Sequence, residues 1–122
     1  MKRLRELVPA AEAAAAKAQA ESARDLAEAI KSRVRHRSGK LAASIEADLV
    51  SNRPGQKPVG IGESKDPNAQ GIFAVWYWRF VEFGTRRSRA FPAIFPTYRQ
   101  MRKKIRRKVA SAINREIKKA KG

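Results

Sequence analysis

The amino-acid sequence predicts an α+β fold: a small antiparallel sheet packed with long N-terminal and C-terminal helices. Three observations carry this. An alanine-rich stretch without glycine opens the chain, apolar and acidic residues alternate from Ile45 to Leu49, and a basic amphipathic stretch closes it. The 122 residues fit one domain. It divides into an N-terminal helix over 1–37, a region of sheet, short helix and loops over 38–96, and a basic helix over 97–122.

The first helix is expected from about Pro9 to Arg35. Proline suits a first helical turn, alanine has the highest helix propensity, and no glycine intervenes before Gly39. Ala23, Leu26, Ala27, Ile30 and Val34 recur at three- and four-residue spacing and form one thin apolar stripe. Arg37-Ser38-Gly39 supplies the stop, because glycine adopts the left-handed conformation that ends helices. Ser38 is also placed to cap a short turn through Leu41.

Ile45, Ala47 and Leu49 alternate with Glu46 and Asp48, the period-two pattern of a strand with one wet face. Asn52 to Pro58 is rich in turn residues, and Val59-Gly60-Ile61 is expected to return as the second strand of a hairpin. Gly62 to Gly71 is polar and reads as a mobile loop. Ile72 to Phe83 is the most apolar stretch; its start suits a third strand. Its end suits a helix, with Phe73, Trp76, Phe80 and Phe83 at helical spacing and Gly84 as the stop.

Thr85 to Pro96 is a basic, proline-punctuated connector with Phe91 and Phe95 as aromatic anchors. The last helix is expected from about Thr97 to Lys119. Tyr98, Met101, Ile105, Val109, Ile113 and Ile117 form its apolar stripe, and most of its Lys and Arg lie opposite.

Charge is the strongest compositional signal. The net charge is +17, from 28 basic and 11 acidic side chains, and Gly84 to Gly122 holds 14 Lys or Arg against Glu116 alone. Such a field attracts polyanions and acidic protein surfaces. The candidate basic patch comprises Arg86, Arg87, Arg99, Arg102, Lys103, Arg106 and Arg107. It has three readings: a solvated helix face, contact with nucleic-acid phosphates without base readout, or docking to acidic protein.

Other classes are excluded by what is missing. There is no cysteine, hence no disulfide framework or thiolate metal site. The one histidine, His36, stands among arginines with no carboxylate placed beside it, so no acid–base pair is indicated. The acids are scattered, and no glycine-rich phosphate loop or cofactor motif is present. Met1-Lys2-Arg3 before the alanines superficially imitates a secretory signal, but Glu6, Glu12 and Lys17 interrupt it. The longest apolar run, Ile72 to Trp78, is too short to span a bilayer, and a soluble chain with no membrane partner is expected.

Three short segments, in order, resemble those of the tail-completion family of long-tailed bacteriophages (head–tail joining, tail terminator-like). Ser38-Gly39-Lys40-Leu41-Ala42-Ala43-Ser44-Ile45 is similar to its Thr/Ser-Gly-x-Leu-x-x-Ser-Ile segment. Tyr77-Trp78-Arg79-Phe80-Val81-Glu82-Phe83-Gly84-Thr85 resembles its Tyr-x-x-x-Val-Glu-Phe-Gly-Thr box. Ala90-Phe91-Pro92-Ala93-Ile94-Phe95-Pro96 resembles its Pro-Phe-(Leu/Ile)-x-Pro turn leading into a C-terminal helix, with Phe91-Pro92 reversing the usual order. The family candidates for structure or interface are therefore Ser38, Gly39, Leu41, Tyr77, Glu82, Gly84, Thr85, Phe91, Pro92 and Pro96.

The resemblance implies a non-enzymatic virion assembly protein at the head–tail junction, without cofactor. It implies a homo-oligomer, commonly a hexameric ring, whose neighbours are the tail tube protein and a head connector or stopper protein. Non-specific contact with DNA along the basic helix is open. Glu82 is expected to pair with Arg86 or Arg87 of its own chain, or with a basic residue of the next subunit. Two other classes stand beside this one. An architectural DNA-binding protein predicts tight duplex binding by the isolated chain, and a small ribonuclease toxin predicts cleavage of RNA.

Overall fold

A computed structural model describes residues 2–34, 39–59, 69–87 and 89–121. The elements are α1 (Lys2–Arg33), α2 (Lys40–Ser44), β1 (Glu46–Leu49), a 3-10 turn (Val50–Asn52), β2 (Gln70–Phe73), α3 (Trp78–Phe83) and α4 (Ile94–Lys121). The expected α+β class holds: α1 and α4 pack against each other, and the two-stranded antiparallel sheet packs on α1.

The apolar stripe of α1 is the spine of the core. Ala23, Leu26, Ala27, Ile30 and Val34 are all buried, Ile30 completely. Leu26, Ala27, Ile30 and Val34 form one cluster with Leu41 from α2, Ile45, Val59, Ile72 from β2, and Ala93 and Ile94 at the head of α4, with Met101 and Ile105 packed at its margin. The small alanines let α4 approach α1 closely. Across that seam Lys108 of α4 bridges Glu21 at 3.2 Å and Asp25 at 3.5 Å.

Several boundaries differ from expectation, each for a physical reason. Helix α1 begins at Lys2, so Pro9 lies inside it. Lys2 to Val8 is made largely of good helix formers, and proline forgoes only the single backbone bond to the carbonyl of Arg5. The helix ends at Arg33, and Gly39 is not its stop: with φ 75° it is the N-cap of α2. Residues 35–38, which include His36 and the Ser38 capping expectation, lie outside the described residues.

The expected hairpin between 45–49 and 59–61 does not form. The partner of β1 is β2, in the register Glu46↔Phe73, Ala47↔Ile72, Asp48↔Gly71 and Leu49↔Gln70. Ile72 joins the core cluster, and Phe73 is buried with the Arg53 guanidinium 4.6 Å above its ring. Val59 instead sits on the far edge of β2, its N–H donating to the Ile72 carbonyl at 2.7 Å. Gly71 permits this crossing, because a Cβ there would stand 2.8 Å from the Pro58 Cβ. Gly60, Ile61 and residues 62–68 of the expected loop lie outside the described residues, whereas Gln70 and Gly71 belong to β2.

The aromatic helix is shorter than its spacing suggested. Phe73 is in β2, and α3 holds six residues. Gly84 ends it as expected, with φ 78° and its N–H donating to the Phe80 carbonyl at 2.9 Å. Helix α4 starts at Ile94 and not at Thr97, so Pro96 falls within its first turn.

Candidate assembly interface

The early start of α4 explains what Glu82 does. An α-helix leaves its first four amide donors without partners. Here the Glu82 carboxylate takes three of them: Oε1 accepts from the amides of Ala93 and Ile94, each at 2.9 Å, and Oε2 accepts from Phe95 at 3.2 Å. The fourth position is Pro96, which has no N–H to satisfy. Thr97, fully buried, then makes the first helical bond to the Ala93 carbonyl at 3.2 Å. Every donor at this helix end is accounted for, and the carboxylate charge opposes the positive end of the helix dipole.

Glu82 is 4% exposed. Its expected pairing with Arg86 or Arg87 is therefore not made, and the carboxylate is turned away from any neighbouring subunit. The burial follows from α3 itself: Gly84 must turn the chain back so that the connector crosses beneath the helix. The Phe91 N–H donates to the Val81 carbonyl at 2.8 Å and holds that crossing.

A hydroxyl ties the first family segment to the stretch just before the second. Ser44 donates to the Leu41 carbonyl at 2.7 Å and accepts from the Val75 amide at 3.0 Å, linking α2 to the turn before α3. The three segments, distant in sequence, thus meet around α3. Leu41 is buried, Tyr77 packs at the core margin, and Thr85 accepts from the Arg87 amide at 3.3 Å. Pro92 and Phe91 are exposed. Phe95 is half-buried: it stacks on Phe83 with centroids 5.6 Å apart and lies 6.2 Å from Trp78. Ser44 was not singled out from the sequence, although its hydroxyl in a helix-ending segment is a recognisable signal.

Turning Glu82 inward turns the aromatic side of α3 outward. Trp76 is 77% exposed, Phe80 53% and Phe83 63%. The rings of Trp76 and Phe80 meet edge to face at 6.1 Å, so the exposed surface is ordered by its own contacts. An apolar surface of this kind on a chain so rich in charge is a candidate contact site. Of the four aromatics read at helical spacing, only Phe80 and Phe83 lie in α3, and both face solvent.

A second surface lies where α1 and α4 run together toward their ends. The stripe residues Val109, Ile113 and Ile117 are only half-buried there. Ala10, Ala14, Ala18 and Ala112 line a shallow groove between the two helices. Tyr98, expected in the apolar stripe, is 45% exposed at the mouth of another groove, between α1, β2 and α4.

The predicted basic patch separates into two places. Arg86 and Arg87 are exposed on the connector, whereas Arg99, Arg102, Lys103, Arg106 and Arg107 are exposed on α4. A third ionic group closes the β1 turn. Arg53 donates from Nε to Asp48 at 2.9 Å and pairs with Glu46 at 2.5 Å. The Arg53 hydrogen bond, followed by that of Asn52 at 3.1 Å, holds the Asp48 carboxyl below its ordinary range. Glu46 and then Asp48 raise the Arg53 guanidinium further. Among the described residues no group of three or more acids or histidines lies together to hold a metal ion, and no helix is long and apolar enough to cross a membrane.

Residues 1–84 match the family described as "Bacteriophage HK97-gp10, putative tail-component". The matched span takes in the first segment, the second as far as Gly84 and the aromatic surface of Trp76, Phe80 and Phe83, and stops before α4. No curated protein and no solved structure matches the chain.

Proposed function

Because the chain belongs to the HK97-gp10-like family of phage tail components, a structural and not an enzymatic family, we propose that it is a tail-completion subunit at the head–tail junction. In this reading copies of the chain close into a ring, commonly of six, that docks between the tail tube protein and the head connector or stopper protein.

The observation that carries the reading is the outward aromatic face of Trp76, Phe80 and Phe83, held rigidly by the cap that buries Glu82. A ring requires two different patches on each subunit, one received by the other, with a rotation that closes. The aromatic face is one patch. The thinly covered α1–α4 seam, with its half-buried isoleucines and lining alanines, is suited to be the other. Aromatic residues are enriched in such interfaces because each buries a large area at little conformational cost. Assembly by these surfaces needs no bond made or broken.

The test is the mass of the purified chain across concentration, with and without purified tail tubes. A ring that forms alone or on the tube end supports the reading. A chain that stays monomeric and leaves the tubes unbound rejects it. In infected cells, loss of both Trp76 and Phe80 is expected to leave filled heads and finished tails unjoined.

A further inference from the structure

Five of the exposed cations of α4 line up along one side of its first half. Arg99, Arg102, Lys103, Arg106 and Arg107 recur at three- and four-residue spacing and fall within an arc of about 140° on the helix, at roughly 100° per residue. They occupy a ridge about 12 Å long at ~1.5 Å rise per residue. All five are exposed, and none has a carboxylate within ion-pair distance among the described residues. The contrast with Lys108 is direct. It lies on the side facing α1, where Glu21 and Asp25 neutralise it.

We propose that this ridge is a sequence-neutral contact for the phosphate backbone of duplex nucleic acid. Four of the five residues are arginines, whose planar forked donors engage phosphate oxygens two at a time. The ridge spans the axial rise of about three to four base pairs, at ~3.4 Å each, so its charges meet several phosphates together. Residues that read base edges are missing from it. Gln100, the one amide nearby, accepts from Arg33 of α1 and is held off the arc.

An acidic protein surface is the weaker occupant. A protein interface of this size needs apolar or aromatic anchors at its centre, and the ridge has none. The exposed aromatic of α4, Tyr98, lies outside the arc and lines the groove toward α1 and β2. The proposal does not rest on ring formation, because the whole ridge lies on one subunit.

The test measures binding of the full chain to a short labelled duplex of mixed sequence, by fluorescence anisotropy over a range of salt. The logarithm of affinity is expected to fall with the logarithm of salt with a slope of about −4, near −0.9 for each phosphate neutralised. The combined variant Arg99→Gln, Arg102→Gln, Arg106→Gln, Arg107→Gln is expected to lower that slope to about −1. It should bind at least tenfold more weakly while keeping the parent's circular dichroism. Arg24→Gln with Lys57→Gln, which removes two exposed cations outside α4, is expected to leave the slope in place. A ridge variant with the parent's slope would overturn the proposal. So would displacement of the duplex by polyglutamate at equal charge, which would assign the ridge to acidic protein.

Discussion

The Glu82 carboxylate lies 2.9 Å from the amide of Ile94, twelve residues further along the chain, and is buried where the two meet. This contact joins a six-residue helix to the start of a 28-residue one. It fixes where α4 begins, which way it leaves the core, and which side of α3 is presented to solvent. The Glu-Phe-Gly-Thr part of the box is thus a structural clamp: the acid caps, the phenylalanine is displayed, and the glycine turns the chain back.

Removing the clamp is expected to be costly. Glu82→Ala strands three amide donors at a buried helix end, and should lower unfolding free energy by about 2–4 kcal/mol. Glu82→Gln keeps the shape and one accepting oxygen, and should lose roughly half as much. Urea unfolding followed by circular dichroism measures both. An alanine variant with the parent's midpoint would refute the capping role.

Ser22 gives the opposite sign. Its hydroxyl is buried in α1, and no hydrogen-bond partner for its Oγ is found among the described residues. Ser22→Ala removes a desolvated polar group from a helix that favours alanine, and is expected to stabilise the chain by about 1 kcal/mol. A loss of stability in the same urea experiment would show that the hydroxyl is engaged.

The Asp48–Arg53 pair makes part of the stability acid-sensitive. The folded pKa of Asp48 is depressed, so its contribution is fully present above the ordinary value of 3.8 and is lost as pH falls through the lower folded value. Thermal unfolding followed from neutral pH down through the carboxylate range should show this drop. Asp48→Asn is expected to be less stable at neutral pH and to show a smaller decline in acid. Parallel curves for the two proteins would remove Asp48 as a source of the sensitivity.

The aromatic face is expected to matter for association and not for folding. Trp76→Ser with Phe80→Ser removes exposed rings, so unfolding should shift by no more than about 0.5 kcal/mol per site. Self-association, or attachment to tail tubes, should weaken at least tenfold in sedimentation. Destabilisation beyond that range with association intact would make the rings part of the fold instead.

Gly71→Ala tests the crossing at the sheet. The added Cβ would meet the Pro58 Cβ at 2.8 Å and Val50 Cγ2 at 3.2 Å, so Pro58 and Val59 must shift. A loss of about 1–3 kcal/mol is expected, as for other overpacked sites. An unchanged melting temperature would show that the 58–59 segment yields freely.

Periodicity carried the parts of this protein that depend on neighbours three or four residues apart. The α1 stripe from Ala23 to Val34, the stop at Gly84, the alternation before Leu49 and the ridge on α4 are all visible in the one-dimensional pattern, since local spacing decides which side chains share a face. Partners distant in sequence were decided by the tertiary structure alone. Val59-Gly60-Ile61 and Gln70–Phe73 both suit a strand, and only the tertiary structure makes the second the partner of β1, with Ile72 in the core and Val59 on the far edge of β2. Phe80 and Phe83 have helical spacing whichever way they point. The demand of the α4 amides for a buried acid turns Glu82 inward and leaves those rings outside, and no pattern within α3 contains that demand.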